Sequence, residues 1–133
     1  MGITMDVKYE ITDDILIARL SGELDHHSAT MVRKDIDQAI DAFQAVNLIL
    51  ILEQVSFMDS AGIGVVVGRY NKMKGRGGRI FLTGGGEYLR RILEMSGVYT
   101  IIDHYEKVED VVRLIERNRE EGKGGDRDET QRD

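Results

Sequence analysis

Apolar and charged side chains alternate at the start of the chain, over residues 5–11. A period of two is typical of a β-strand with one face in water, so we expect an edge strand here. The turn-forming triplet Thr-Asp-Asp at 12–14 separates this strand from a more apolar run at 15–20. The two segments therefore predict an N-terminal antiparallel β-hairpin.

Segments with helical and strand-like apolar spacing alternate along the rest of the chain. Helical spacing occurs at 32–43, 63–73, 89–93 and 108–115, and strand-like runs occur at 48–52, 79–83 and 98–102. Strands separated by helices are joined by right-handed crossovers into a mostly parallel sheet. The pattern predicts an α/β domain with a mixed, mostly parallel sheet of about five strands, about four helices and the N-terminal hairpin.

A buried-type strand turns into a helix near residue 60. The apolar run at 47–52 is followed by the sequence Ser-Phe-Met-Asp-Ser-Ala-Gly-Ile-Gly at 56–64. Ser60 stands where the N-cap of the helix is expected, a position that serine favours in any helix. Glycine costs about 1 kcal/mol relative to alanine inside a helix. The glycines at 62, 64 and 68 therefore predict a close approach of this helix to the sheet.

Polar loops are expected at one edge of the predicted sheet. In a parallel sheet the carboxyl ends of the strands lie together, and open α/β sheets usually place their sites there. The predicted loops are 22–28, 53–60 and 84–87. Asp25, Asp59 and Ser60 should therefore share one face.

Length and composition indicate a single domain. The chain has 133 residues, of which 41% are hydrophobic, and we expect the domain to span residues 1–118. Residues 119–133 contain six acids, four bases and no aliphatic or aromatic side chain, which predicts a disordered charged tail. The net charge of −6 argues against direct binding of nucleic acid.

The sequence contains no cysteine and no uninterrupted apolar stretch of about 18 residues. We therefore expect a cytoplasmic protein that makes no membrane contact. We also expect it to be monomeric when free.

Three motifs occur in order along the chain. They are Gly-Glu-Leu-Asp-His-His at 22–27, Ser-Phe-Met-Asp-Ser-Ala-Gly at 56–62 and Gly-Arg-Tyr at 68–70. The set resembles the anti-sigma factor antagonists of the STAS family, over residues 5–115. The first and third motifs favour the sporulation members over the general-stress members, which stay as an alternative. The second serine of the family's Asp-Ser-Ser-Gly motif is Ala61 here.

The resemblance implies a phosphorylation-switched binding protein rather than an enzyme. It implies that Ser60 is the phosphoacceptor and that Asp25, Asp59, Ser60 and Gly62 contact a partner. The implied partners are an anti-sigma factor serine kinase, which the unphosphorylated protein binds so that a sigma factor is released, and a PP2C-like serine phosphatase. It implies no cofactor and no metal.

A phosphoryl group on Ser60 would add about −1.5 to −2 charges at the favourable end of a helix dipole. We therefore expect it to change the docking surface and to leave the fold intact.

Other interpretations of the same residues stay open. A Ser-His-Asp catalytic triad could be formed by Asp25, His26 or His27, and Ser60. The Gly-x-Ser-x-Gly motif of hydrolases is missing, however, because Met58 occupies the position of its first glycine. Asp25 could also be a cap or turn residue before a helix that starts near residue 28.

A nucleotide-binding module is the other alternative. The three glycines at 84–86 stand before a predicted helix and could cradle a phosphate. The segment lacks the lysine of a P-loop.

Overall fold

The computed structural model describes residues 5–124. Within them the chain forms five strands and four helices. In chain order these are β1 (Met5–Thr12), β2 (Ile15–Leu24), α1 (Ala29–Phe43), β3 (Asn47–Met58), α2 (Ser60–Gly75), β4 (Ile80–Thr83), α3 (Glu87–Ser96), β5 (Asp103–Tyr105) and α4 (Val108–Gly124). In this part of the chain no helix combines the length and the apolarity needed to cross a membrane.

The strands form one mixed sheet in the order β1-β2-β3-β4-β5. The β1–β2 hairpin is antiparallel, with Met5 opposite Gly22 and Thr12 opposite Ile15. The other three pairings are parallel. The predicted α/β fold with an N-terminal hairpin is therefore confirmed, and β1 lies at the edge of the sheet as predicted.

Helices cover both faces of the sheet, which explains the continuous apolar run in β3. Leu48, Leu50 and Leu52 lie in the core that α1, α2 and α3 cover. Ile49 and Ile51 point the other way, into a smaller core that α4 covers. A strand buried on both faces needs apolar residues at consecutive positions.

Strands β2 and β3 are longer than predicted at their carboxyl ends. Gly22 pairs with Val55 and Leu24 pairs with Met58, where loops were expected at 22–28 and 53–60. The sequence hides this extension because its side chains are mixed polar and apolar. Glu53, for example, is exposed, whereas Val55 is buried. The paired ends place Asp25 and Asp59 directly after neighbouring strands.

The predicted strand at 98–102 is wrong. A 3₁₀ turn occupies Val98–Thr100 after Gly97, whose φ of 85° starts the turn, and β5 follows at Asp103–Tyr105. Val98 and Ile102 are buried in the larger core. Their apolar character therefore reflects packing of the turn and not a strand.

The predicted domain boundary at residue 118 also differs from the structure. Helix α4 continues to Gly124. Arg119 Nη2 lies 2.6 Å from Asp14 Oδ1 in the β1–β2 turn, so this residue belongs to the folded domain. An ion pair between residues far apart in sequence leaves no local signal. The rest of the predicted tail, at 125–133, lies outside the described residues.

Candidate functional site

The ends of β2 and β3 bring the candidate residues together. The backbone N–H of His26 donates to Asp59 Oδ2 at 3.1 Å, and that of Asp59 donates to the Leu24 carbonyl at 3.4 Å. Two polar segments that are 33 residues apart are thus joined by hydrogen bonds. Asp25, Asp59 and Ser60 share one edge of the sheet, as the strand order predicts.

Helix α2 is capped by Asp59, so the prediction that Ser60 is the N-cap is wrong. Asp59 is extended, and its Oδ1 accepts hydrogen bonds from the N–H groups of Ala61 at 2.9 Å and Gly62 at 3.1 Å. Either residue type can cap a helix, and the aspartate takes the position here. Ser60 becomes the first helical residue, and its side chain is exposed. Among residues 5–124 its hydroxyl has no hydrogen-bond partner, so the oxygen is accessible to another protein.

The Asp59 carboxylate is held in its charged form. Burial acts to raise the pKa of Asp59, but hydrogen bonds from the N–H groups of Gly62, His26 and Ala61 and from the His26 ring together lower it. The His26 Nδ1 atom lies 3.5 Å from Asp59 Oδ2. A fixed negative charge therefore stands next to the Ser60 hydroxyl at neutral pH.

Replacing Asp59 by asparagine should destabilise the protein in a pH-dependent way. Because the folded-state pKa lies below the ordinary value of 3.8, the charge stabilises the fold above that value. This contribution is lost as the pH falls through the folded-state pKa. We expect Asp59→Asn to be less stable than the wild type near neutral pH and the difference to shrink in acid. Urea unfolding at about pH 7 and about pH 3 measures it. The variant Asp6→Asn, which removes an exposed charge from β1, is the control, and a difference that is constant with pH would contradict the prediction.

Asp25 shapes the turn that leads into α1. Its carboxylate is buried, and Oδ1 accepts hydrogen bonds from the N–H groups of His27 at 2.9 Å and Ser28 at 3.1 Å. The structural interpretation of Asp25 as a turn residue is therefore correct. Its other oxygen, Oδ2, has no hydrogen-bond partner within the described range 5–124. That oxygen remains available for a second role.

Gly62 is the point of closest approach between α2 and the sheet. A Cβ atom at this position would lie 2.3 Å from the Leu24 carbonyl oxygen and 2.6 Å from Met58 Cγ. The predicted close approach is confirmed here. It is wrong for Gly64 and Gly68, where a Cβ atom would meet nothing within 4 Å.

A groove between α1 and α2 begins at Ala61, the residue after Ser60, and the sequence did not predict it. It has a volume of about 150 Å³ and is lined by Ala29, Thr30, Arg33, Ala61, Gly64 and Val65. Between the same two helices, the buried Arg69 places its Nε 3.0 Å from Asp37 Oδ1. Burial lowers the pKa of Arg69, the nearby Arg33 lowers it further, and Asp37 opposes both. The Gly-Arg-Tyr motif thus contributes an ion pair that joins α1 to α2. The helical spacing of Arg33 and Asp37 on α1 is the sequence signal that could have found this cluster.

The residues of the alternative nucleophilic site do not form a Ser-His-Asp relay. The rings of His26 and His27 contact each other with centroids 3.9 Å apart and planes tilted by 39°. Asp25 Oδ1 is taken by backbone N–H groups. Within residues 5–124, no hydrogen bond joins either imidazole ring to Ser60 or to the Asp25 carboxylate. In the same range, no three histidine or acidic side chains are grouped so that they could hold a metal ion.

The glycines at 84–86 form a tight strand-to-helix turn. Gly84 and Gly85 have φ values of 73° and 102°, and a Cβ atom on Gly84 would lie 2.5 Å from Glu53 Oε1. The turn thus requires glycine for its own backbone. Arg90 at the adjacent helix is already paired with Glu106 at 2.8 Å. The geometry gives the nucleotide-binding interpretation no support beyond the glycines themselves.

Comparison with known proteins gives a consistent result. Residues 6–111 match the STAS domain family. The chain is 38% identical over 104 residues to an anti-sigma F factor antagonist of Paenibacillus polymyxa, which covers 78% of this chain and 89% of the relative. It is 35% identical over 103 residues to the anti-sigma-B factor antagonist of Bacillus subtilis, covering 77% of this chain and 91% of the relative. The structure of the anti-sigma factor antagonist SpoIIAA in its unphosphorylated form superposes with a TM-score of 0.70 at 31% identity, covering 82% of this chain and 96% of that one.

Proposed function

We propose that this chain, which belongs to the STAS family and within it to the anti-sigma factor antagonists, is a phosphorylation-switched binding protein. In its unphosphorylated form it binds an anti-sigma factor kinase and so releases a sigma factor. The observation that carries the proposal is the exposed Ser60 hydroxyl at the first position of α2, beside the capping carboxylate of Asp59. Similarity to an anti-sigma F factor antagonist favours a role in sporulation. Similarity to an anti-sigma-B factor antagonist keeps the general-stress role as the second candidate.

The proposed switch is a reversible phosphoryl transfer at Ser60. The Ser60 Oγ attacks the γ-phosphorus of ATP bound to the kinase, its proton passes to a base on the kinase, and ADP leaves. For the reverse change, a PP2C-like phosphatase directs water onto the phosphorus. The water loses a proton, the Ser60 oxygen regains one, and inorganic phosphate leaves. In both steps the catalytic groups belong to the partner, and this chain supplies the substrate hydroxyl.

Electrostatics explain how the switch acts without refolding. A phosphoryl group of about −1.5 to −2 charges would stand beside the Asp59 carboxylate, at the positive end of α2. The helix end tolerates the charge, so the fold persists. A docked partner, however, would have to desolvate it. A coupling of about 3 kcal/mol already changes affinity about a hundredfold.

The other predicted partner-binding residues have distinct proposed roles. Asp25 offers Oδ2 to a basic group on the anti-sigma factor, since its Oδ1 is occupied by the turn. Asp59 and Gly62 act through the backbone, because the Asp59 cap and the close packing of Gly62 hold the first turn of α2, which carries Ser60, against the end of β2. The proposal places all of this chemistry in the cytoplasm.

Mass spectrometry after incubation with ATP and a candidate kinase tests the proposal. The anti-sigma F factor and the anti-sigma-B factor are compared as kinases in parallel, so that the two roles are separated. We expect one phosphoryl group, located at Ser60, with the first of them. No transfer with either kinase would contradict the proposal. Titration calorimetry with ATP and this chain alone tests the nucleotide-binding alternative.

Replacing Asp25 by asparagine should weaken complex formation more than folding. Asparagine keeps the side-chain oxygen that accepts from the turn amides but removes the charge. If Asp25 meets a basic group, the loss should be about 2 kcal/mol or more in binding free energy, the range for breaking a buried charge pair. Titration calorimetry with the anti-sigma factor measures it. Glu23→Gln, which removes an exposed charge two residues earlier, is the matched control. Wild-type affinity for Asp25→Asn would show that Asp25 serves only the turn.

A further inference from the structure

The groove between α1 and α2 holds an exposed cation, and its α2 wall includes Ala61, the residue that follows the proposed phosphoacceptor. Arg33 is exposed on α1 and lines the groove together with Ala61 and Gly64 of α2. Within residues 5–124, its guanidinium forms no ion pair. The acid one turn further along α1, Asp37, is paired with Arg69 instead. Arg33 is therefore free to take an anionic partner.

The α2 side of the groove is open at Gly64, where a side chain would meet nothing nearby. Ser60 and Gly64 are four residues apart in the helix, so they lie on the same face, one turn from each other. A Cβ atom on Gly64 would meet nothing within 4 Å. Ala61 also lines the groove and has only a methyl group. The small residues leave space in which a group attached to Ser60 can approach α1.

We infer that Arg33 binds the phosphoryl group of phosphorylated Ser60, so that the modification is held in the α1–α2 groove. This inference rests on the proposed phosphorylation of Ser60 and concerns its structural consequence. Arginine suits the role because its planar guanidinium donates two parallel hydrogen bonds to phosphate oxygens. The contact would join α1 to α2 at their exposed surface, in addition to the Arg69–Asp37 pair. A phosphoryl group held in this way fills the groove and presents a fixed charge to an approaching partner.

Other charged groups on neighbouring elements also affect a phosphoryl group on Ser60, and an experiment has to separate their effects from that of Arg33. From the β3–α2 junction, Asp59 repels the phosphoryl group. From the β2–α1 turn, Asp25 repels it and His26, next to Asp59, can attract it when protonated. The Arg69–Asp37 pair also joins α1 to α2 and is neutral as a pair. Arg33 is the cation that α1 contributes to the groove.

The pH titration of the phosphoryl group, followed by ³¹P NMR, tests the inference. Phosphoserine is incorporated at position 60 during translation, so no kinase is needed. A nearby cation favours the doubly charged phosphate and lowers its titration midpoint from the usual value of about 6. We expect Arg33→Ala to raise the midpoint by about half a pH unit or more, Arg33→Glu to raise it further, and Arg33→Lys to leave it near the wild-type value.

The control is Lys34→Ala, which removes the neighbouring exposed cation of α1 that faces a different groove. It should leave the midpoint unchanged. The comparison is repeated in a His26→Asn background, because a histidine ring can titrate in the same range as a phosphate. Equal midpoints for the wild type and Arg33→Ala would overturn the inference, and so would an equal shift with Lys34→Ala. Neither result would contradict the proposed function, because neither concerns the transfer of phosphate by the kinase. Conversely, if the kinase transferred no phosphate to Ser60, the proposed function would be contradicted, but the NMR measurement on the translated phosphoserine would still be valid.

Discussion

The variant Ser60→Glu is expected to bind the anti-sigma factor about a hundredfold more weakly than the wild type and to keep its melting temperature. The carboxylate introduces charge at the first position of α2, where an acid is tolerated or mildly favourable because of the helix dipole. The docking partner meets this charge beside Asp59 and loses about 3 kcal/mol of binding free energy. Titration calorimetry and a thermal melt on the same sample measure the two quantities.

Two controls show whether the effect belongs to this position. Ser60→Ala removes the hydroxyl without adding charge, so it should bind constitutively and accept no phosphoryl group. Ser96→Glu places the same charge on another exposed serine, at the end of α3 that lies away from this edge of the sheet. It should leave binding unchanged. A Ser60→Glu protein that lost several kcal/mol of stability would point to local unfolding as the mechanism in place of electrostatics.

The variant Gly62→Ala is expected to lose about 3 kcal/mol of unfolding free energy. The new methyl group would meet the Leu24 carbonyl oxygen at 2.3 Å, and that oxygen also accepts the hydrogen bond from the Asp59 N–H. Backbone at the end of β2 must therefore shift, which disturbs the junction that holds Asp59. Urea unfolding measures the loss.

The matched control is Gly64→Ala, two residues further along the same helix. Its methyl group would enter open space. Alanine is the better helix former, so this variant should gain up to about 1 kcal/mol. Equal stabilities for the two variants would show that α2 does not rely on close approach at Gly62.

The architecture and the place of the site followed from local patterns. The alternation at 5–11 and the apolar run at 47–52 predicted an exposed-edge strand and a strand buried on both faces, and both are present. These patterns survive in the sequence because each side chain's polarity is set by the layer it faces. Because parallel strands end at one edge, strand order alone brought Asp25, Asp59 and Ser60 to the same face.

Features that depend on contacts between distant segments were decided by the tertiary structure. Asp59 caps α2 in place of Ser60, since the His26 N–H, from another loop, fixes the second oxygen of its carboxylate. Val98 and Ile102 are apolar because a 3₁₀ turn packs them into the core, and a short apolar run cannot distinguish that turn from a strand. The local sequence around a residue does not show which distant residues it will contact in the folded protein.

For the glycines of α2 and the arginines of α1 and α2, too, the sequence identified the residues but only the tertiary structure decided their roles. Composition marked the glycines of α2 as unusual, but only the position of the Leu24 carbonyl distinguishes Gly62, which must be glycine, from Gly64, which borders a groove. Likewise, the sequence alone shows Arg33 and Arg69 only as basic residues in two predicted helices and does not distinguish their roles. The packing of α1 on α2 buries Arg69 against Asp37 and leaves Arg33 exposed in the groove, because burial and pairing depend on the helix interface and not on either helix alone.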